Sequence, residues 1–137
     1  MRKPEISIFW FRRDLRLHDN HGLFQALQSG YPVLPIFIFD KHILDKLDKP
    51  YQARVEFIHE ALQSIHHQLS KQGSGLNILF DTPLNAFKSL LEEYDIKKVY
   101  TNRDYEKYAL QRDQSVAQFL TSKQIEFHDF KDQVIFE

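Results

Sequence analysis

The sequence predicts a doubly wound α/β domain, a five-stranded parallel sheet with helices on both faces. Three observations predict it. Apolar runs rich in β-branched and aromatic residues alternate with amphipathic stretches along all 137 residues, and such alternation calls for right-handed crossovers and a parallel sheet. The strand-like runs are continuously apolar, as strands buried on both faces require. The connecting segments carry caps, prolines and glycines where helices start and stop.

Ile6 to Phe11 is the first strand. Asp19 or Asn20 caps a short helix with Leu23, Ala26 and Leu27 on its inner side, and Gly30 closes it. Val33 to Phe39 is the second strand; Pro32 and Pro35 belong near its beginning or where a missing N–H faces an edge. A polar loop from Asp40 to Pro50 precedes the clearest helix, where Val55, Ile58, Leu62, Ile65 and Leu69 form one stripe. Gly73 and Gly75 break it before a third strand, Leu76 to Phe80. Thr82-Pro83 reads as a cap followed by proline in the first turn of a helix whose inner face is Leu84, Phe87 and Leu91. Lys98 to Thr101 is a short fourth strand, and a helix from about Glu106 to Ser122 turns Val116, Phe119 and Leu120 inward. Ile125 to Phe130 is the fifth strand, and Val134 to Phe136 opens another apolar run. A chain that stops on such a run, at Glu137, is expected to be one domain, residues 1–137, of a longer protein. The architecture is Rossmann-like.

Composition narrows the chemistry. There is no cysteine, so disulfides, thiolate metal sites and thiol catalysis are excluded. No stretch has the apolar length of a membrane-spanning helix, and Met1-Arg2-Lys3-Pro4-Glu5 runs straight into a strand, so no membrane partner and a cytoplasmic location are expected. The net charge is −1, without the basic excess that supplies most nucleic-acid affinity. A DNA-binding surface, if the protein has one, is expected mostly outside this chain. Twelve Phe and six Tyr suit either a large aromatic core or a planar ligand held against rings.

In open α/β sheets ligands bind beyond the carboxyl ends of the strands, where strand order reverses. This selects four loops: Arg12 to Asn20, Asp40 to Pro50, Asp81 to Pro83, and Asn102 to Lys107. The first loop has no glycine before Gly22, and no GK[ST] motif occurs, which argues against a dinucleotide dehydrogenase or a nucleoside triphosphatase. A phospho-receiver needs carboxylates ending the first strand; Phe11-Arg12-Arg13 stands there, although Asp81 and Lys131 match later positions. His66 and His67 point about 100° apart on a helix and cannot readily clasp one ion. No HExxH, G-x-S-x-G or paired-carboxylate pattern occurs. No metal site and no catalytic group are therefore expected in this chain.

The run Trp10 to Asn20, WFRRDLRLHDN, resembles the opening of the DNA photolyase and cryptochrome family. Val33 to Asp40, VLPIFIFD, is similar to that family's second strand with its terminal aspartate. The segment Asn102-Arg103-Asp104-Tyr105-Glu106-Lys107-Tyr108-Ala109, with Gln111-Arg112-Asp113, is similar to its N-x-x-Y-E-x-Y-A-x-x-R-D block. The resemblance implies an amino-terminal α/β domain that precedes a helical domain binding FAD and damaged DNA. In the helical part, light-driven electron transfer from FAD repairs the lesion. The α/β part commonly holds an antenna pigment, a deazaflavin, a flavin or a folate, which passes excitation to FAD. The alternatives are the same domain of a cryptochrome photoreceptor and a stand-alone Rossmann-like binding module without photochemistry.

By position, the resemblance places the antenna cleft at Phe11 and Arg12 after strand one, Phe39 and Asp40 after strand two, and Asn102, Asp104, Tyr105 and Glu106 after strand four. Arg12 would donate to a ring carbonyl, and Asp40 or Asp104 would accept from a ring N–H or a ribityl hydroxyl. Folate-binding bacterial members carry an Asn-Glu pair where this chain has Tyr108 and Ala109, and a histidine where it has Lys46. Folate held in that manner is not expected; a deazaflavin, a flavin or no antenna stays open. Arg12, Arg13, Asp14, Arg16 and Asp19 alternate in sign and have a second use, pinning the loop or docking the helical domain. Tyr105 and Glu106 equally suit the start of the following helix, and Trp10 suits the core.

Overall fold

The computed structural model describes residues 3–12, 20–39, 49–70, 75–102 and 107–130, with the side chains of all of these except 49–59 and 107–110. Five strands, β1 (Glu5–Phe11), β2 (Val33–Phe39), β3 (Asn77–Phe80), β4 (Asp95–Asn102) and β5 (Glu126–Phe130), form one sheet in the order β3-β2-β1-β4-β5. Every pairing is parallel. The described helices are α1 (His21–Leu27), α2 (Lys49–Ser70), α3 (Pro83–Glu93) and α4 (Lys107–Ser122). The chain moves outward from β1 to β3, then returns to lay β4 beside β1. The strand order therefore reverses between β1 and β4.

Side-chain parity sorts the core into two layers. Phe9, Phe11, Phe37 and Phe39 face α1 and α2, where Leu23, Ala26, Leu62, Ile65 and Leu69 meet them. Ile6, Ile8, Trp10, Ile36 and Ile38 face α3 and α4, against Ala86, Phe87, Leu90, Val116 and Leu120. In β4 the parity changes hand, because Ile6 pairs with Ile96 while Ser7 pairs with Lys98. The extra residue, Lys97, bulges out, which leaves Ile96 and Val99 on the same layer. Its ammonium lies 3.0 Å from Asp95 and 3.5 Å from Glu5, and the hydrogen bond to Asp95 holds its pKa above the usual lysine value.

Local signals explain most boundaries. The Thr82 hydroxyl accepts from the Asn85 N–H, with Pro83 in the first turn. The Asn20 side chain accepts from the Leu23 N–H, which settles the cap of α1 on Asn20. His66 Nδ1 accepts the Leu76 N–H at 3.0 Å, tying α2 to the start of β3.

Four expectations need correction. The loop expected from Asp40 to Pro50 ends earlier, since α2 begins at Lys49 with Pro50 in its first turn, a position where proline's missing N–H costs nothing. Leu27 is not an inner residue but 65% exposed; Gly22, Leu23 and Ala26 face the sheet, and Leu27 is turned about 100° from Ala26. The inner face of α3 is Pro83, Ala86, Phe87 and Leu90, with Leu84 and Leu91 only partly buried on its flanks. The fourth strand starts at Asp95 rather than Lys98 because its polar first residues pair along β1 through the bulge. Val55, Ile58, Gly73 and the run from Val134 to Phe136 lie outside the residues or side chains described.

Phe87 is fully buried and meets Trp10 edge-on at 5.4 Å. Phe87→Ala is expected to lower the stability of the chain by about 3–5 kcal/mol, read as a shift of the urea unfolding midpoint.

Candidate functional site

The crevice between the carboxyl ends of β1 and β4 is where this topology places a ligand. Each side of it is built from the chain's own polar groups. On the α4 side, Arg12 continues the parity of Trp10 and turns toward α4. Its Nε donates to Thr101 Oγ1 at 2.9 Å, and Nη1 forms an ion pair with Asp113 of α4. Thr101 Oγ1 in turn donates to the Trp10 carbonyl at 2.8 Å. The Arg12 guanidinium lies 4.1 Å from the centre of the Trp10 ring, with that of Arg112 at 5.5 Å. Arg112 Nε is 3.7 Å from Asp113 Oδ1. Arg12 and Asp113 are both buried.

On the α1 side, Asn102 ends β4 and holds the start of α1. Its Oδ1 accepts the Gly22 N–H at 2.9 Å, and its Nδ2 donates to Asn20 Oδ1 at 2.6 Å. The approach admits no side chain at Gly22, where a Cβ would stand 2.7 Å from Asn102 Oδ1 and 2.9 Å from Phe9 Cε1. One asparagine thus orients another and fixes a short helix over the sheet.

Aromatic rings occupy the rest of the α1/α2 side. Phe11 is buried and meets Phe9 edge-on at 4.7 Å. Phe39 packs edge-on against Phe37 at 4.9 Å and stacks on Phe80 at 5.0 Å, with planes 8° apart. Phe80 is 64% exposed, so one end of this stack is open. Over β4 and β5, Tyr100 stacks on His128 at 5.0 Å, and His21 meets Phe130 at 4.7 Å. Among the described residues no group of His, Asp and Glu is arranged to hold a metal ion.

The structure therefore brings Phe11, Phe39 and Asn102 to one side of the sheet and Arg12 to the other. The Arg12 guanidinium faces Thr101, Asp113 and Trp10; Arg13, Asp14, Arg16 and Asp19 of the loop that follows lie outside the described residues. Asp40, Asp104, Tyr105 and Glu106 lie outside the described residues. Two residues were missed as participants. Asp113 stands three positions before Val116 and seven before Leu120, a carboxylate on an apolar stripe, which signals a buried partner. Phe80 ends an apolar run, and only the edge position of β3 exposes it.

The sequence matches the family described as DNA photolyase over residues 7–137. The chain belongs to the DNA photolyase family. It is 34% identical to a deoxyribodipyrimidine photo-lyase of Synechococcus sp. over 93% of this chain and 26% of that protein. It is 32% identical to cryptochrome-1 of Drosophila melanogaster, over 88% of this chain and 23% of the relative. The crystal structure of the archaeal photolyase from Sulfolobus tokodaii, reported with two FAD molecules and an implied novel light-harvesting cofactor, superposes with a TM-score of 0.85. That photolyase is 32% identical, and the match covers 97% of this chain and 30% of the neighbour. The chain thus spans about a quarter of the length of the curated photo-lyase it matches.

Asp113→Ala would leave the Arg12 guanidinium buried without that carboxylate and is expected to cost about 3–5 kcal/mol. Gly22→Ala, forced against Asn102 and Phe9, is expected to cost about 1–3 kcal/mol. Urea denaturation of both variants beside the parent chain checks both values.

Proposed function

We propose that this chain is the light-harvesting α/β domain, residues 1–137, of a cytoplasmic deoxyribodipyrimidine photo-lyase. In the full-length protein a carboxyl-terminal helical domain carries FAD and engages UV-damaged DNA, which it repairs by light-driven electron transfer. The observation that carries this reading is the match to the photolyase family along residues 7–137, joined to the aromatic surface at the carboxyl ends of β2 and β3. No described helix is long and apolar enough to cross a membrane.

The residues suit a planar pigment. The Phe39–Phe80 stack offers a flat, partly open ring surface, and Phe11 belongs to the same apolar layer as Phe39. Asp40, Asp104, Tyr105 and Glu106 follow the strand ends in sequence and would supply the polar partners. Asn102 and Arg12 act at one remove: Asn102 fixes α1, and Arg12 pins β1 to α4 behind the ring surface. When bound, a flavin or deazaflavin would absorb near-ultraviolet or blue light and pass the excitation to FAD. This chain's own part is to seat and orient that pigment.

The likeness to a cryptochrome supports a second reading, the same domain in a photoreceptor. Photorepair of a thymine-dimer oligonucleotide by the full-length protein distinguishes the two: repair is expected of the lyase and not of the receptor. The pigment reading has its own test. Titrating the chain with FMN, FAD, 8-hydroxy-5-deazariboflavin and methenyltetrahydrofolate, followed by absorbance and fluorescence anisotropy, is expected to show binding of a flavin or deazaflavin. Phe80→Ala should weaken that binding about two- to tenfold, the worth of one ring stack. Binding of none of the four pigments sinks the antenna assignment.

A further inference from the structure

We propose that Arg12 and Arg112 keep Trp10 from acting as an electron donor, so that an excited pigment in this domain is not quenched by the chain's one indole. The purpose of this device rests on the light-harvesting reading. Its physical basis and its test do not.

Trp10 is the only tryptophan, and it lies 2% exposed in the layer beneath α3 and α4. Indole is among the most readily oxidised side chains. Two guanidiniums face its ring, at 4.1 Å and 5.5 Å from the ring centre. A cation over the face of a neutral indole is attracted by the ring quadrupole. Removing one electron makes the ring itself a cation, and the same guanidiniums then repel it. Burial strengthens that repulsion, since water and salt screen it little. Asp113 pairs with Arg12 Nη1 and lies 3.7 Å from Arg112 Nε, and its carboxylate offsets part of the positive charge; the groups over the ring are the two guanidiniums.

The step disfavoured is a single electron transfer. The indole would lose one electron to a photoexcited flavin or deazaflavin, leaving an indole radical cation and a pigment radical anion, with no bond made or broken. That transfer competes with passage of excitation to FAD and ends the excited state without useful work. The arginines raise its cost on the donor side alone, whatever pigment is bound.

The test uses the chain without pigment. Photogenerated ruthenium(III) polypyridyl oxidants are applied to the parent chain, Arg112→Gln and Arg112→Lys, and the rate of Trp10 oxidation is read from transient absorbance. Arg112→Gln is expected to be oxidised about fivefold faster, with Arg112→Lys close to the parent, because charge near the ring sets the rate. A merely structural arginine would make both variants depart alike. Equal rates for parent and Arg112→Gln, both folded by circular dichroism, overturn the proposal. Should Arg112→Gln fail to fold, Arg112→Met removes the same charge with a flexible apolar chain. In the parent chain, a graded series of oxidants is expected to show Trp10 harder to oxidise than N-acetyltryptophanamide in water; an equal or lower potential also overturns it. A failed pigment titration leaves these rates unaltered, so the two ideas fall separately.

Discussion

The ion pair between Arg12 and Asp113 joins the end of β1 to two consecutive elements that lie 89 and 101 residues further along the chain. It ties the last turn of β1 to the inner face of α4, and through Thr101 it also ties both to β4. Taking two charges out of water is costly, and such a pair is sustained only where further polar partners and good geometry offset the loss. Here the Thr101 hydroxyl and the Trp10 ring supply part of that offset. The pair lies at the reversal of strand order, so it also decides which side of the crevice is filled. With arginine, aspartate and indole packed under α4, the open aromatic surface is left to the α1/α2 side.

On that side the fold depends on a weaker but more localised device. α1 has seven residues, too few to be stable by its own hydrogen bonds. Its position comes from Asn102, which binds the Gly22 N–H and the capping Asn20 together. The close approach at Gly22 is what lets the helix sit over Phe9. A strand end, a cap and a glycine thus act as one unit. The aromatic layer formed by Phe9, Phe11, Phe37 and Phe39 is sealed by it.

Most of the fold is legible in the sequence because its signals are local. Val33 to Phe39 is one uninterrupted apolar run, Thr82-Pro83 is a cap with its proline, and Leu62, Ile65 and Leu69 are spaced by helix turns. What misleads is geometry at element ends. Leu27 has the apolar character of an inner residue but sits past the arc that touches the sheet, and Asp95 looks like loop until Glu5 and Lys97 are seen beside it. The candidate site is harder for a different reason. Arg12 finds its carboxylate 101 residues away, and Asn102 finds its amide 80 residues away. A polar residue at a strand end looks the same in sequence whether its partner is a ligand or a distant helix. Only the fold shows Arg12 paired with Thr101 and Asp113 and Phe39 stacked on Phe80.

Pro35 bears on the edge of the sheet. The Pro32 carbonyl accepts from β1 and the Phe39 carbonyl accepts from Asp81 beside β3, so alternate residues of β2 turn to opposite neighbours and Pro35 turns toward β3. It has no N–H to offer there. Pairing with β3 begins at the next residue, Ile36 opposite Asn77. An outer strand extended toward its amino end would meet a missing donor at Pro35, and the Leu76 N–H is already taken by His66. The border strand has four residues, and short edge strands pair poorly with other chains, although Ile78 and Phe80 leave this one apolar. A proline one strand inward thus sets where pairing with the margin of the sheet begins.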